Sequence, residues 1–278
     1  MKACNYCYEC LQKLAYQAAE LATDNEQAKA RATEESLRIL QDDFSLDCVS
    51  IVVATKLHDA VKEITGNHDP YRQMKDKEIM LAEQLSKQIR VEPNDFRNCL
   101  EFAALGNTID FFRPLDFIQQ DIKEPVNFVI DDSKQFETKL KHTRRILYLA
   151  DNAGEMFFDL PLVRWIRRQA SVAYVVKSAP VQDDITVEDI KRAGLEDSLG
   201  EIMTTGTATP GIDFSQASAE FQREFNSADL ILAKGMGYYE SLSELPADGK
   251  VFYCLRAKCQ PVADALRVPL NSYVAMLR

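Results

Sequence analysis

The hydrophobic pattern of the chain has helical spacing in its first third. Leu11, Leu14 and Ala18 recur three or four residues apart, and similar spacing continues along the following segments. Apolar residues that repeat in this way lie on one face of an amphipathic helix. The pattern therefore predicts that residues 8–88 are almost wholly helical, with one helix ending near Gly66 because glycine is favoured just beyond a helix C-terminus.

The pattern changes after Arg144. Short apolar runs now alternate with stretches of helical spacing; the runs are 146–150, 172–176, 229–233 and 251–255. Such alternation is typical of strands in a mostly parallel or mixed sheet whose connections are helices. With a linker at residues 91–95, the pattern predicts two domains, an all-helical domain over 1–94 and an α/β domain over 95–278.

Polar side chains follow the first two of these runs. Asp151 and Asn152 come directly after the first run, and Asp183 and Asp184 follow the second. Ligands bind at the carboxyl ends of strands in open α/β sheets, and carboxylate and amide oxygens suit Mg²⁺, Mn²⁺ and similar ions. A turn and helix N-caps are the alternative interpretation of all these residues, because acids and amides are favoured there without any function.

The later connections contain candidate anion contacts. Residues 204–211, with Gly206 among them, form a loop of small residues whose backbone N–H groups and hydroxyls suit a phosphate, although an ordinary loop remains the alternative. This loop lacks the Walker and dinucleotide glycine patterns, so neither ATP nor NAD is supported. Lys234 at a strand end and Lys258 add positive charge for an oxyanion. Gly235, directly after Lys234, suits a close approach of the backbone to a ligand.

Two further groups remain open to a structural explanation. Asn107 and Asp110 share a helix face by spacing, or are an N-cap with a first-turn acid. The thiols of Cys4, Cys7 and Cys10 are spaced to share a soft metal ion or take part in redox chemistry, but on a helix the same spacing gives a stripe of small apolar residues.

Composition narrows the class of protein. The chain has 278 residues, 46% of them hydrophobic and 27% charged, as in ordinary globular proteins. Its net charge of −10 argues against an extended nucleic-acid surface. No apolar run approaches the roughly 20 residues of a membrane helix, so no membrane partner is expected. An odd number of cysteines, seven, favours a reducing, cytoplasmic setting.

Taken together, the motifs resemble the metal-dependent damage-control phosphatase family, in its short archaeal and bacterial branch with an N-terminal Cys-x-x-Cys. The resemblance spans nearly the whole chain, and its segments occur in family order: Cys7-x-x-Cys10, Asp69-Pro70-Tyr71, Gly106-Asn107-x-x-Asp110, Asp151-Asn152-Ala153-Gly154-Glu155, Asp184-x-Thr186-x-Glu188-Asp189, Lys234-Gly235-Met236 and Lys258-Cys259-x-Pro261-Val262. It implies a helical N-terminal array joined to a Rossmann-like α/β domain.

The resemblance also implies a chemistry. A divalent ion, Mn²⁺, Co²⁺, Ni²⁺ or Mg²⁺, would be held by Asp151, Asn152 and Asp184, with Glu155 and Lys234 contacting a small phosphorylated metabolite. The expected reaction is hydrolysis of phosphate monoesters, including sugar phosphates and damaged phosphometabolites. Glu155 would orient water or the substrate, and the Gly206 loop would add substrate contacts. Asn107 and Asp110 would contact the substrate or lie just behind the residues that do. Two alternatives stay open: a non-catalytic metal- or metabolite-binding module, and a carboxyl methyltransferase using S-adenosylmethionine, which the single glycine of residues 151–155 disfavours.

Overall fold

The amino-terminal part of the protein is an array of helices. The computed structural model describes residues 1–109, 118 and 120–278. The first four helices are α1 (Asn5–Ala22), α2 (Glu26–Asp43), α3 (Ser50–Thr65) and α4 (Arg72–Ser86). The side chain of Asn25 caps α2, and Gly66 ends α3 with a left-handed φ of 70°. The predicted helical array is therefore confirmed.

The rest of the described chain forms an α/β unit around a seven-stranded sheet. Its strands are β1 (Phe128–Asp131), β2 (Arg145–Leu149), β3 (Ser171–Val176), β4 (Glu201–Thr204), β5 (Leu230–Lys234), β6 (Val251–Arg256) and β7 (Tyr273–Leu277). The spatial order is β1-β7-β6-β5-β2-β3-β4, and β6, β5, β2, β3 and β4 are mutually parallel. Only the β6–β7 pairing is antiparallel among the described strands. The predicted fold class, with a mostly parallel sheet, is confirmed.

Helices cover both faces of this sheet. They are α5 (Phe96–Gly106), α6 (Ser133–Leu140), α7 (Met156–Arg167), α8 (Val187–Ala193), α9 (Glu196–Leu199), α10 (Ala219–Ser227), α11 (Gly235–Leu242) and α12 (Gln260–Leu266). Alternate residues of β2 point to opposite faces of the sheet. Ile146 and Tyr148 belong to the hydrophobic core that includes α5 and α7, whereas Leu147 and Leu149 belong to the core that includes α10 and α11. Burial on both faces explains why the central strands appear in the sequence as continuous apolar runs.

Three strands lay outside the predicted set, namely β1, β4 and β7. They lie at or next to the sheet edges, where part of each strand faces solvent. Val129 of β1, for example, is 56% exposed. Their apolar residues are therefore fewer and less continuous than those of the central strands, which removes the signal on which the prediction relied.

One helix of the array, α4, packs against the α/β unit. Ile79, Ala82 and Leu85 of α4 belong to the same buried cluster as the sheet residues, whereas α1, α2 and α3 share small clusters of their own. A domain boundary at residue 94 stays a prediction. Within the described residues, no helix combines the length and apolarity needed to cross a bilayer.

The direction of the chain along the sheet reverses at β2. The chain runs outward from β2 to β3 and β4, and then crosses back to place β5 on the other side of β2. In open α/β sheets such a switch point leaves a crevice outside the carboxyl ends of the strands, and ligands bind there. The residues that follow β2, β3 and β5 are therefore candidates for a functional site.

His58 gives the helical array a pH dependence that can be measured. It is 1% exposed on α3, against the ring of Tyr71 at 5.6 Å, and burial, with a contribution from the charge of Lys62, lowers its pKa to about 3. In the unfolded chain the imidazole of His58 binds a proton with a pKa near 6.5, whereas in the folded chain it stays neutral down to a much lower pH. The free energy of unfolding should therefore fall by up to about 1.4 kcal/mol per pH unit as the pH drops from 6.5 toward 3.

Urea unfolding at several pH values, with the parent and His58→Phe compared, measures this contribution as a difference in slope. His142, which is exposed, supplies the matched control, His142→Phe. An equal pH slope for the parent and His58→Phe would contradict the prediction.

Candidate active site

A deep cavity opens at the switch point. It has a volume of about 550 Å³ and receives residues from the ends of β2, β3, β5 and β6 and from helices α1 and α3. Asp151, Asn152 and Asp184 all line it. The structure thus brings together the three residues that were predicted to follow neighbouring strands.

Backbone hydrogen bonds join the segments that carry these three residues. The N–H of Ile185 donates to the carbonyl of Asp151 at 2.9 Å, and the N–H of Ala153 donates to the carbonyl of Asp183 at 2.8 Å. Asn152 and Asp184 form an isolated antiparallel bridge. The loops after β2 and β3 therefore hold each other in register, and these main-chain contacts fix the backbone positions of Asp151, Asn152 and Asp184.

The two carboxylates of this group are buried close to other acids, which disfavours their charged forms. Burial, followed by the charges of Glu155 and Asp184, raises the pKa of Asp151 well above its usual range. Burial also raises the pKa of Asp184, although Lys177 and Lys75 act in the opposite direction. Acids that repel each other in a buried place are stabilised by a cation, so the site has the charge that a divalent ion would offset.

Gly235 allows β5 to approach Asp151. Its φ of +77° lies in the left-handed region, and a Cβ placed on it would lie 1.8 Å from Oδ2 of Asp151. No side chain fits at such a distance, so glycine is required here for both backbone conformation and space. The glycine that sequence analysis associated with close approach to a ligand in fact makes close approach to a predicted ligand residue.

Lys234 lies at the centre of a buried ionic network beneath the cavity. Its Nζ donates to Oε2 of Glu155 at 2.6 Å, to Oδ1 of Asp159 at 2.9 Å and to the carbonyl of Ala103 at 2.9 Å. All three charged side chains are fully buried. These three bonds use the three protons of the ammonium group. Its observed function is to hold two carboxylates, and a contact with substrate stays a prediction.

The carboxylate of Asp159 is held from two further sides. Tyr148 donates its hydroxyl to Oδ1 at 2.6 Å, and Tyr174 donates to Oδ2 at 2.8 Å. Sequence analysis missed Asp159, because an acid in the first turn of a helix has an ordinary explanation. The available signal was its position four residues after Glu155, which places both acids on one helix face.

Asn107 connects this network to the cavity. Its Nδ2 donates to both oxygens of Glu155 at 2.5 Å, its Oδ1 accepts from the N–H of Arg256 at 3.2 Å, and the residue lines the cavity. Glu155 itself lies behind Asn107, held by that amide and Lys234. Its predicted role in orienting water or substrate stays a prediction. Asp110 lies outside the described residues.

A second buried lysine, which sequence analysis also missed, supports Asp184. Lys177 directly follows β3, much as Lys234 is the last residue of β5. The Nζ of Lys177 lies 3.4 Å from Oδ2 of Asp184. It also donates to the hydroxyl of Tyr238 at 3.0 Å and to the carbonyl of Gly211. Burial lowers the pKa of Lys177, but Tyr238 and Asp184 raise it by more, so the group stays charged. A lysine at the end of an apolar run was the signal that could have found it.

In the small-residue loop, residues 204–211, some residues pack against the protein interior and others line the cavity. A Cβ on Gly206, whose φ is +79°, would lie 2.5 Å from Cβ of Ser218, so this glycine serves close packing of backbone. Pro210 and Gly211 are the loop residues that line the cavity. A substrate contact of Gly206 stays a prediction, and the structure gives that residue a different reason to be glycine.

The three N-terminal cysteines lie at the beginning of α1. The sulfurs of Cys4 and Cys7 are 3.8 Å apart, and Cys7 and Cys10 line the cavity. Over residues 1–109, 118 and 120–278, no group of three or more His, Cys, Asp or Glu side chains is arranged to hold a metal ion. The shared thiol site stays a prediction without a formed ligand set in the described residues.

Comparison with known proteins identifies similar proteins over nearly the whole chain. The chain matches the model of the damage-control phosphatase ARMT1-like domain over residues 3–274. It is 36% identical to a damage-control phosphatase of Pyrococcus horikoshii, over 97% of this chain and 96% of that protein. A damage-control phosphatase of Archaeoglobus fulgidus is 34% identical over 99% of each chain. The crystal structure of a DUF89 family protein from Pyrococcus horikoshii, 32% identical, has a TM-score of 0.89 and covers 100% of this chain and 99% of its own.

The buried network predicts a large stability loss when its cation is removed. Lys234→Met leaves Glu155 and Asp159 buried without their counter-ion, so the free energy of unfolding should fall by about 3–5 kcal/mol. Lys191→Met is the matched control because Lys191 is exposed, and its change should stay within about 0.5 kcal/mol. Urea unfolding measures both, and a loss below about 1 kcal/mol in Lys234→Met would mean that the network does not stabilise the fold.

Proposed function

This chain belongs to the damage-control phosphatase ARMT1-like domain family, and we propose that it is a metal-dependent phosphatase that hydrolyses phosphate monoesters of small metabolites. The observation that carries the proposal is the joined pair of loops after β2 and β3, which places Asp151, Asn152 and Asp184 on one cavity. The relatives, which are damage-control phosphatases, support phosphatase chemistry, and these three residues support its dependence on a metal.

The residues fit a divalent ion by their chemistry. Two carboxylates and an amide provide hard oxygen ligands, which suit Mg²⁺ and Mn²⁺, and Co²⁺ or Ni²⁺ are also compatible. The raised pKa of Asp151 reflects burial and the nearby acids, a cost that bound positive charge would relieve. We assign Asp151, Asn152 and Asp184 as its ligands. When bound, such an ion neutralises phosphate charge and lowers the pKa of a coordinated water.

Residues of this chain supply the remaining functions. Lys258 lines the cavity and its charge acts on Asp151, so we assign it to the phosphoryl oxygens of the substrate, where fixed positive charge stabilises the transition state. Lys177 holds Asp184, and Lys234 with Asn107 holds Glu155. Because Lys177 and Lys234 are fully buried and do not line the cavity, we assign these two lysines to positioning. The ligand carboxylates then need little rearrangement as charge develops.

The first test removes a proposed ligand. Chelated protein, supplied in turn with Mg²⁺, Mn²⁺, Co²⁺ or Ni²⁺, should release phosphate from p-nitrophenyl phosphate and from a panel of sugar phosphates. Asp151→Ala and Asp184→Ala should each lower the rate by at least roughly a hundredfold, because a metal ligand is lost. Asp197→Ala, at an exposed carboxylate, is the control and should keep the parent rate.

Full activity in Asp151→Ala would disprove the assignment of the site. Metal binding at Asp151 and Asp184 without release of phosphate from any ester would instead favour the non-catalytic binding module. Binding of S-adenosylmethionine, measured by calorimetry, would be the evidence for the methyltransferase alternative.

A second test uses the space around Asp151. Gly235→Ala places a methyl group on Oδ2 of Asp151, so it should abolish metal binding and phosphate release. Gly194→Ala is the matched control, because Gly194 has a similar φ of +65° but no atom within 4 Å of an added Cβ. Both variants should lose about 1–2 kcal/mol of stability from the left-handed backbone, and Gly235→Ala should lose more because its methyl group clashes with Asp151. Calorimetry with Mn²⁺ on the folded proteins should separate them. Equal metal affinity in the two variants would contradict the role of Gly235.

A further inference from the structure

The cavity extends well beyond the carboxylates. From the ends of β2 and β3 it continues to the helical array, where α1 and α3 form one side. The side chains contributed by these two helices include Cys7, Cys10, Leu11, Leu14, Ile51 and Ala54. Met236 and Pro261 extend the same apolar surface toward Lys258. We call this surface, formed by these eight side chains with Cys259, the apolar wall.

The thiols of the apolar wall are neutral at physiological pH. Burial raises the pKa of Cys7 to about 11 and that of Cys259 to about 12. Cys7, Cys10 and Cys259 all line the cavity. A protonated thiol behaves as a small, polarisable hydrophobic group. The cysteines therefore add to the apolar character of the wall.

Some of the polar groups beside the wall have protein partners or are exposed. Glu240 accepts a hydrogen bond from Oγ of Ser50 at 2.6 Å, and burial raises the pKa of this carboxyl. Glu9 and Lys13 of α1 also border the cavity, and both are exposed. The side chains of the wall itself carry no hydrogen-bonding group besides three thiols and one thioether, so the wall offers few hydrogen-bond partners to a ligand.

The cavity has room for a ligand larger than phosphate. A volume of about 550 Å³ lies within the range of pockets that enclose whole organic molecules. A polyhydroxylated group against the apolar wall would lose water without gaining hydrogen bonds, which costs free energy for each hydroxyl. An apolar group in the same place gains about 0.8 kcal/mol for each buried methylene.

On the basis of the proposed phosphatase function, we propose that the preferred substrates are phosphate monoesters with a largely apolar organic group, which lies on the apolar wall while the phosphate faces Asp151 and Lys258. Hydroxyl-rich sugar phosphates are then poorer substrates than alkyl phosphates of similar size. The apolar wall determines specificity, and the joined loops after β2 and β3 carry the reaction.

A homologous series of esters tests this inference. Ethyl, butyl and hexyl phosphate differ in apolar length while their leaving groups stay chemically alike. With the metal that supports release from p-nitrophenyl phosphate, kcat/KM should rise by up to about fourfold per methylene, and hexyl phosphate should exceed glucose 6-phosphate. A series without any rise, measured while each ester still releases phosphate, would overturn the inference and leave the phosphatase function intact.

Variants locate the effect. Leu14→Asn should flatten the rise in kcat/KM along the series, because the longer chains lose their apolar contact with the wall. Leu21→Asn is the matched control, since Leu21 is an exposed leucine of the same helix, and it should keep the parent series. Cys10→Ser, a nearly isosteric change, is the second variant and should weaken the preference for hexyl phosphate even if Leu14→Asn fails to fold. Parent behaviour in Cys10→Ser and in folded Leu14→Asn would contradict the inference.

A binding measurement separates the inference from the phosphatase function. If no ester releases phosphate with any metal, the proposed function fails, and calorimetry with methyl-, butyl- and hexylphosphonate then tests the wall alone. Affinity that increases with chain length in the parent and Leu21→Asn, but less in Leu14→Asn or Cys10→Ser, would support an apolar subsite. Equal affinity for all three phosphonates would overturn it.

Discussion

The ion pairs of two fully buried lysines support the candidate site. Lys234 holds Glu155 and Asp159, and Lys177 holds Asp184. A buried charge without a partner costs several kcal/mol, so these three carboxylates require their lysines and the lysines require the carboxylates. The lysines come from strand ends whose positions the sheet fixes. The register of the sheet therefore determines where the negative charge of the cavity lies.

The central architecture could be predicted because burial on both faces leaves a continuous apolar run in the sequence. The runs at β2, β3, β5 and β6 fell within or next to the observed strands, whereas β1, β4 and β7 lie at or near edges and lacked such a run. Asp151, Asn152 and Asp184 could be predicted for the same reason, since each follows a recognisable strand. Their meeting at one cavity depends on strand order, which local patterns do not encode.

The partners of these residues could not be predicted from the sequence. Lys177, Asp159 and Tyr238 are ordinary residue types in ordinary positions, and their importance comes from burial and from distant contacts. Gly235 illustrates the difference: its residue type indicated a close approach, but only the fold shows that the neighbour is Asp151. Lys234 likewise looked available to a ligand until its three protein acceptors were located.

The helical array contributes to the site as well as covering it. Glu78 of α4 lies so close to Gly154 that a Cβ there would be 2.8 Å from Cγ of Glu78, and the fully buried Lys75 of α4 lies 3.1 Å from Asp69 and 3.5 Å from Asp189. The turn after β2 and the helix after Asp184 are thus both supported from α4. Helices α1 and α3 contribute most of the apolar wall of the same cavity. The array therefore supports the buried ion pairs of the α/β unit and also shapes one side of the candidate site.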